Sequence, residues 1–231
     1  DGAPIGDLEA QRDEAQAAVD SLPGAIAGID DTAESIASGI DQLAAALKGM
    51  MGTDMGLGAL ATQAREAWAA VEAVDPSDEE VATAATTAYA DALSQTADKL
   101  APFSSILAGR LSGLDQQLAA LEEAIEANKA ELADVEGKIE GFQGTEDDPE
   151  LVELLARQAE LTETLAEQDE KRGGLQTQRE TYAGYQESLD QLVSFGRDDA
   201  ADGQGATALA SGRIQAVAGL AQAEAALPQL E

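Results

Sequence analysis

With 231 residues the chain has room for one large domain or two small ones. Its 45 acidic residues against 13 basic ones give a formal charge of −32, which repels duplex DNA, RNA and anionic bilayers at long range and argues against nucleic-acid binding and direct docking on an anionic membrane. Histidine and cysteine are both absent, which removes His acid–base catalysis, Cys nucleophiles, disulfides and zinc sites built on either residue.

Ala, Leu, Glu and Gln dominate, and no run alternates with a period of two, so nearly the whole chain reads as helix. The start, DGAPIGD, is a loose leader that fits a removed signal peptide or an expression choice. A first arm is expected over Ile5–Met51, its apolar seam running from Leu8 and Arg12 through Ile26 and Ile40 to Met50. Pro23-Gly24 should kink or break this helix, which then resumes in phase.

The run MMGTDMGLG, residues 50–58, holds three Met and three Gly and turns the chain back. Met50, Met51, Met55 and Leu57 make it a weakly charged apolar patch, open to three uses: a turn folded on the bundle, a partner contact, or membrane insertion. A helix over Leu60–Val74 presents Leu60, Ala64, Trp68 and Val71 on one face. DPSDEE ends it, with Ser77 as the expected N-cap of the next helix and Glu80 as its capping-box partner. That helix, Val81–Leu100, offers Val81, Ala85, Tyr89, Leu93 and Leu100 to a core.

Pro102 introduces the longest apolar pattern. From Ser104 to Phe142, Leu111, Leu114, Leu118, Leu121, Ile125, Leu132, Val135, Ile139 and Phe142 keep a 3-4 spacing, and the arm spans about 58 Å. GFQGTEDDP forms the turn, where Asp148 caps and Pro149 takes the first helical position. The return arm, Glu150–Phe195, carries Leu154, Leu161, Leu175, Tyr182 and Leu189 at multiples of seven. Antiparallel pairing sets Ile139 near Leu154, Leu132 near Leu161 and Leu118 near Leu175.

Asn128 falls in this seam, level with Leu165, where a buried amide fixes register at a cost in stability. The return arm is wetter, because Gln158, Gln168, Arg172, Arg179 and Gln186 interrupt it. Arg172 and Arg179 are expected to reach acids of the outgoing arm. With Asn128 and Tyr182, they serve either the hairpin's own register or a partner. Gly173-Gly174 in mid-helix mark a kink, a close backbone approach or a plain break.

After the acidic loop GRDDAADGQG, an Ala-rich helix is expected from Ala206 to Leu227, with Ile214, Val217 and Leu220 inward and Pro228 as its stop. The expected fold is all-α: an elongated helical bundle with a long antiparallel coiled-coil hairpin. Residues 1–101 pack at the base, 102–197 form the hairpin, and 198–231 return to the base.

No phosphate loop, catalytic motif, cofactor signature or regular calcium loop is present; Asp147-Asp148 and Asp198-Asp199-Asp202 lack the calcium-loop spacing. These features favour a non-catalytic stalk or scaffold that binds a protein or a second copy of itself. A pore-forming helical bundle and the soluble part of a membrane-anchored assembly are the alternatives. Abundant carboxylates and scarce lysine suit concentrated salt, with solvated cations around the surface. They place the chain outside the cell or in its envelope, or in the cytoplasm of a salt-loving source.

Overall fold

The structure, a computed structural model, describes residues 5–52, 56–145, 148–198 and 205–230. Among the described residues all regular structure is helical: α1 (Ile5–Met51), α2 (Gly58–Glu72), α3 (Glu79–Leu100), α4 (Pro102–Glu140), α5 (Pro149–Gly196) and α6 (Ala206–Leu230). The chain is therefore an all-α helical bundle. It divides into two compact units. Unit 1 comprises Asp1–Ser104 with Glu187–Glu231, and unit 2 comprises Ser105–Gln186. The outer ends of the expected hairpin, 102–104 and 187–197, thus belong to unit 1.

In unit 1, α6 packs along α1 and α3 and touches α2, while α2 packs on both α1 and α3. Arg213 meets Asp30, and Leu22 lies beside Gly219. Numbers that rise on one helix as they fall on the other make α1 and α6 antiparallel. Small residues allow the approach, since Ala15, Ala33 and Ala37 of α1 and Ala206, Ala210 and Ala223 of α6 are all buried. The larger core residues come from α1 (Ile40, Leu43, Leu47), α2 (Leu60, Trp68, Val71), α3 (Tyr89, Leu93, Leu100) and α5 (Leu189). Trp68 and Tyr89 meet as a tilted pair, with ring centroids 4.9 Å apart and planes at 60°.

Burial along α1 is graded. Leu8 and Arg12 are exposed, Val19, Leu22, Ile26 and Ile29 are half-buried, and the seam closes from Ala33 onward, where α2 also covers it. Gly196 is required by its neighbours, because a Cβ there would lie 2.5 Å from the Leu93 carbonyl oxygen of α3. Just beyond it, Asp198 adopts φ 52°, one of the few side chains that tolerates the left-handed region. Its carboxylate accepts from the Thr207 backbone N–H at 3.1 Å and hydroxyl at 2.6 Å, so the residue that closes α5 also caps α6.

Several local expectations need correction. Of the kink or break expected at Pro23, the break is absent: α1 is one helix from Ile5 to Met51. Nor does Pro228 stop α6, which reaches Leu230; the missing N–H forgoes the bond to the Glu224 carbonyl, but only two residues of helix follow it. The N-cap of α3 is Asp78, whose side chain accepts from Val81 N–H, and not Ser77. Asp75 claims Ser77 first, accepting its N–H at 2.9 Å and its hydroxyl at 2.8 Å. Val81 points outward and is 49% exposed, because it sits in the first turn ahead of the buried face that begins at Ala85. In α6 the fully buried residues are alanines, while Ile214, Val217 and Leu220 are only half-buried.

In unit 2, α4 and α5 lie side by side and antiparallel. Asp115 meets Arg179, Asn128 meets Gln168, Glu131 meets Arg157 and Glu136 meets Gln158. Leu114, Leu118, Leu121, Ile125 and Val135 of α4 are buried, and so is Leu161 of α5. Leu154, Leu165 and Leu175 are half-buried, so the return helix is the wetter of the two. Asp148 accepts from Glu150 N–H at 3.0 Å and Pro149 opens α5, the arrangement its sequence requires. Gly173 and Gly174 leave α5 unbroken, and among the described residues no other part of the chain comes within 4 Å of a Cβ built at either, so no backbone of this chain approaches there.

Candidate interaction surface

The Met-Gly turn lies in unit 1. Met50 is half-buried, Met51 is 41% exposed and Leu57 is buried; Met55 lies outside the described residues. Among the described residues of the turn, its apolar content is divided between core and solvent, with Met51 as the large exposed group. None of the helices among the described residues is long and apolar enough to cross a membrane.

The hairpin residues fall in unit 2. The Asn128 Nδ2 donates to Gln168 Oε1 at 3.1 Å, so the amide meets another amide three residues beyond Leu165, its expected neighbour. Arg179 reaches Asp115 of α4, and its guanidinium is held charged to still higher pH by that hydrogen bond and by the charge of the same carboxylate. Arg172 does not cross to the outgoing helix. It pairs with Asp169 one turn back on α5, at 2.9 Å, which is the nearer acid. Tyr182 is half-buried.

Cations are too few to neutralise the surface, and arginine is used where helices must be joined. Arg65 of α2 ties Glu34 and Asp41 of α1, each at 2.9 Å, while Arg157, Arg179, Arg197 and Arg213 also bridge separate elements. The Arg65 hydrogen bond holds the Glu34 carboxyl below the usual carboxylate range. Lys129 and Lys138 pair only within their own helix, with Glu126 and Asp134. The planar guanidinium fork suits bridging better than an ammonium does.

Among the described residues no group of three or more acids is placed to hold a metal ion. Asp147, Asp199 and Asp202 lie outside the described residues. Asp148 and Asp198 are occupied as caps.

Sequence reading missed a second stripe on α5. Val152 is 54% exposed and Leu155 is 45% exposed, and they lie one turn apart on the same face. Ala159, Thr162 and Ala166 continue them at 3-4 spacing, all exposed. Thr162 donates its hydroxyl to the Gln158 carbonyl at 2.8 Å, which leaves its methyl as the group free to pack. This stripe is the core seam, Leu154, Gln158, Leu161 and Leu165, moved by one residue, or about 100° around the helix. The signal was present as a second heptad phase, hidden because the first phase contains more leucine. The other large exposed apolar residues, Leu8, Met51, Val81 and Ile106, are far apart in sequence, and isolated residues of that kind are ordinary.

Compared with known proteins, the chain matches no family model, no curated protein and no solved structure.

Proposed function

We propose that the protein is a non-catalytic helical scaffold or stalk that works by protein–protein contact, with α4 and α5 of unit 2 forming an antiparallel coiled-coil hairpin. The observation that carries this reading is the division of α5 into two seams: one is spent on α4, and the other, from Val152 to Ala166, stays in solvent. A helix needs only one apolar seam to hold a hairpin together. A second one costs solubility unless something covers it. The absence of His and Cys is consistent with a role that needs no side-chain acid–base or thiol chemistry. Extreme acidity supports a setting of concentrated salt, outside the cell or in its envelope, where screening relieves the repulsion between carboxylates.

Photo-crosslinking tests the interaction role. A benzophenone amino acid is placed at Leu155 and, as a control, at Thr177 of the same helix, in protein produced in its source organism. A discrete adduct at 155 that is missing at 177 is the expected result. Equal labelling at both positions, or none at either, would overturn the reading.

A further inference from the structure

Gly173 and Gly174 weaken α5, and no contact of this chain offsets the loss. Each glycine in a helix interior shifts the local helix–coil balance by about four- to fivefold against Ala. Among the described residues, nothing lies close enough to either position to demand the missing side chain. Both residues are exposed and sit beside the half-buried Arg172 and Leu175, so water reaches their backbone groups directly.

Three further features loosen the same level of the helix. The Thr177 hydroxyl donates to the Gly173 carbonyl at 3.0 Å, a bond to the fourth residue back of the kind that bends helices. Side-chain packing is thin. Between 169 and 181 only Arg172 and Leu175 are even half-buried, and no residue of α5 from 162 to 188 is buried, a run of about seven turns. Alongside, a groove of about 520 Å³ opens between the two helices, lined by Gln117, Ala120 and Leu121 of α4 and by Gln168, Lys171 and Leu175 of α5.

The facing helix shows the reverse. Asp115 meets Arg179 and Asn128 meets Gln168, so the part of α4 between them runs beside the glycines. From 115 to 133 it reads DQQLAALEEAIEANKAELA, with no Gly or Pro and mostly strong helix formers. Its Leu118, Leu121 and Ile125 are buried. At one level, therefore, a stiff helix lies against a weak one.

We propose that Gly173-Gly174 is a yield point built into unit 2, where α5 bends and locally unwinds against an α4 that stays one continuous rod. This device does not depend on the interaction role above. It gives the antiparallel pair a fixed place at which to flex, set by the backbone of one helix.

Hydrogen exchange followed by mass spectrometry on the full chain tests the local unwinding. Amides of 170–178 should exchange at least tenfold faster than those of 118–126, after correction for intrinsic rates. Gly173→Ala/Gly174→Ala should slow the 170–178 amides by about twentyfold and leave 118–126 unchanged. Alanine favours the helix, so this variant folds at least as well as the parent. The bend itself is read by electron paramagnetic resonance, because a chain without cysteine accepts paired spin labels free of background. One pair is Glu163→Cys with Glu180→Cys on α5, and the other is Gln116→Cys with Ala133→Cys on α4, each spanning about 26 Å of straight helix. The α5 distance distribution should be the broader, and should narrow to the α4 width in the double alanine variant. Equal widths in the parent, or unchanged exchange of 170–178 in that variant, would overturn the proposal. So would slowing shared evenly by all six helices, because the glycines would then lower global stability alone.

Discussion

Arg213 joins three parts of unit 1, and removing it gives a measurable cost. Its Nε donates to Asp30 Oδ1 at 2.7 Å, and one terminal nitrogen reaches the Val71 and Glu72 carbonyls at the end of α2, at 3.3 and 3.4 Å. The longer contacts are weak, so the carboxylate bond dominates. The side chains are 11% and 28% exposed, which puts the pair between the surface case and the fully buried one. Surface pairs contribute about 0–1 kcal/mol, and losing one partner of a buried pair costs about 3–5 kcal/mol. Arg213→Met keeps the apolar stem and leaves Asp30 without its cation, so about 2 kcal/mol should be lost, or about 4–8 °C in melting temperature for a chain of this size. Urea unfolding of Arg213→Met, Asp30→Asn and the double variant measures the coupling. A coupling energy of about 1 kcal/mol or more is expected, and strict additivity within about 0.3 kcal/mol would refute the reasoning.

Tyr89 is buried, which pushes its ionisation well above the ordinary range, and its hydroxyl has no hydrogen-bond partner among the described residues. Tyr89→Phe removes that orphan, so thermal unfolding should show equal or higher stability, by up to about 1–2 kcal/mol; a clear loss would mean that the hydroxyl is satisfied in solution. Asp78→Ala should cost about 1 kcal/mol as the α3 cap, with Ser77→Ala costing less; the reverse order in urea unfolding would restore Ser77 as the cap. Because Arg65 depresses the Glu34 carboxyl, the stabilisation it confers is present above the usual carboxylate range and disappears as pH falls through the lowered value. Arg65→Met should therefore melt lower than the parent at neutral pH but converge with it in strong acid, with Glu34 moving up in a carbon-13 titration; an unchanged Glu34 would refute this. Finally, helical circular dichroism should strengthen and melt more cooperatively between about 10 mM and 2 M salt, and a salt-independent signal would remove the case for a high-salt setting.

The helices were legible because the apolar period is long and the breakers are few. Asp148-Pro149 opens α5 as its residue types demand, and the α1 limits follow from where the 3-4 pattern starts and stops. Local competition was harder to see. Both Ser77 and Asp78 can cap, and only geometry reveals that Asp75 captures Ser77 before the helix begins and leaves the cap to Asp78. Proline position in a sequence does not state how many intrahelical bonds remain beyond it, so Pro228 was over-read. Arg172 illustrates the same limit: an acid three residues away on its own helix wins over one across the hairpin, because holding a long side chain across a gap costs more entropy. On α5 the leucine seam drew the eye from its weaker neighbour, although Val152 and Leu155 are the residues left in solvent.

Asp198 has a practical consequence. Because Asp198 ends α5 through its backbone N–H, which donates to the Phe195 carbonyl, and caps α6 through its carboxylate, Asp198 and Thr207 are tied to each other directly. Loop length enters closure entropy only logarithmically, at about 0.6 kcal/mol per doubling. An insertion between Asp198 and Thr207 should therefore change the stability of unit 1 by little more than this closure cost.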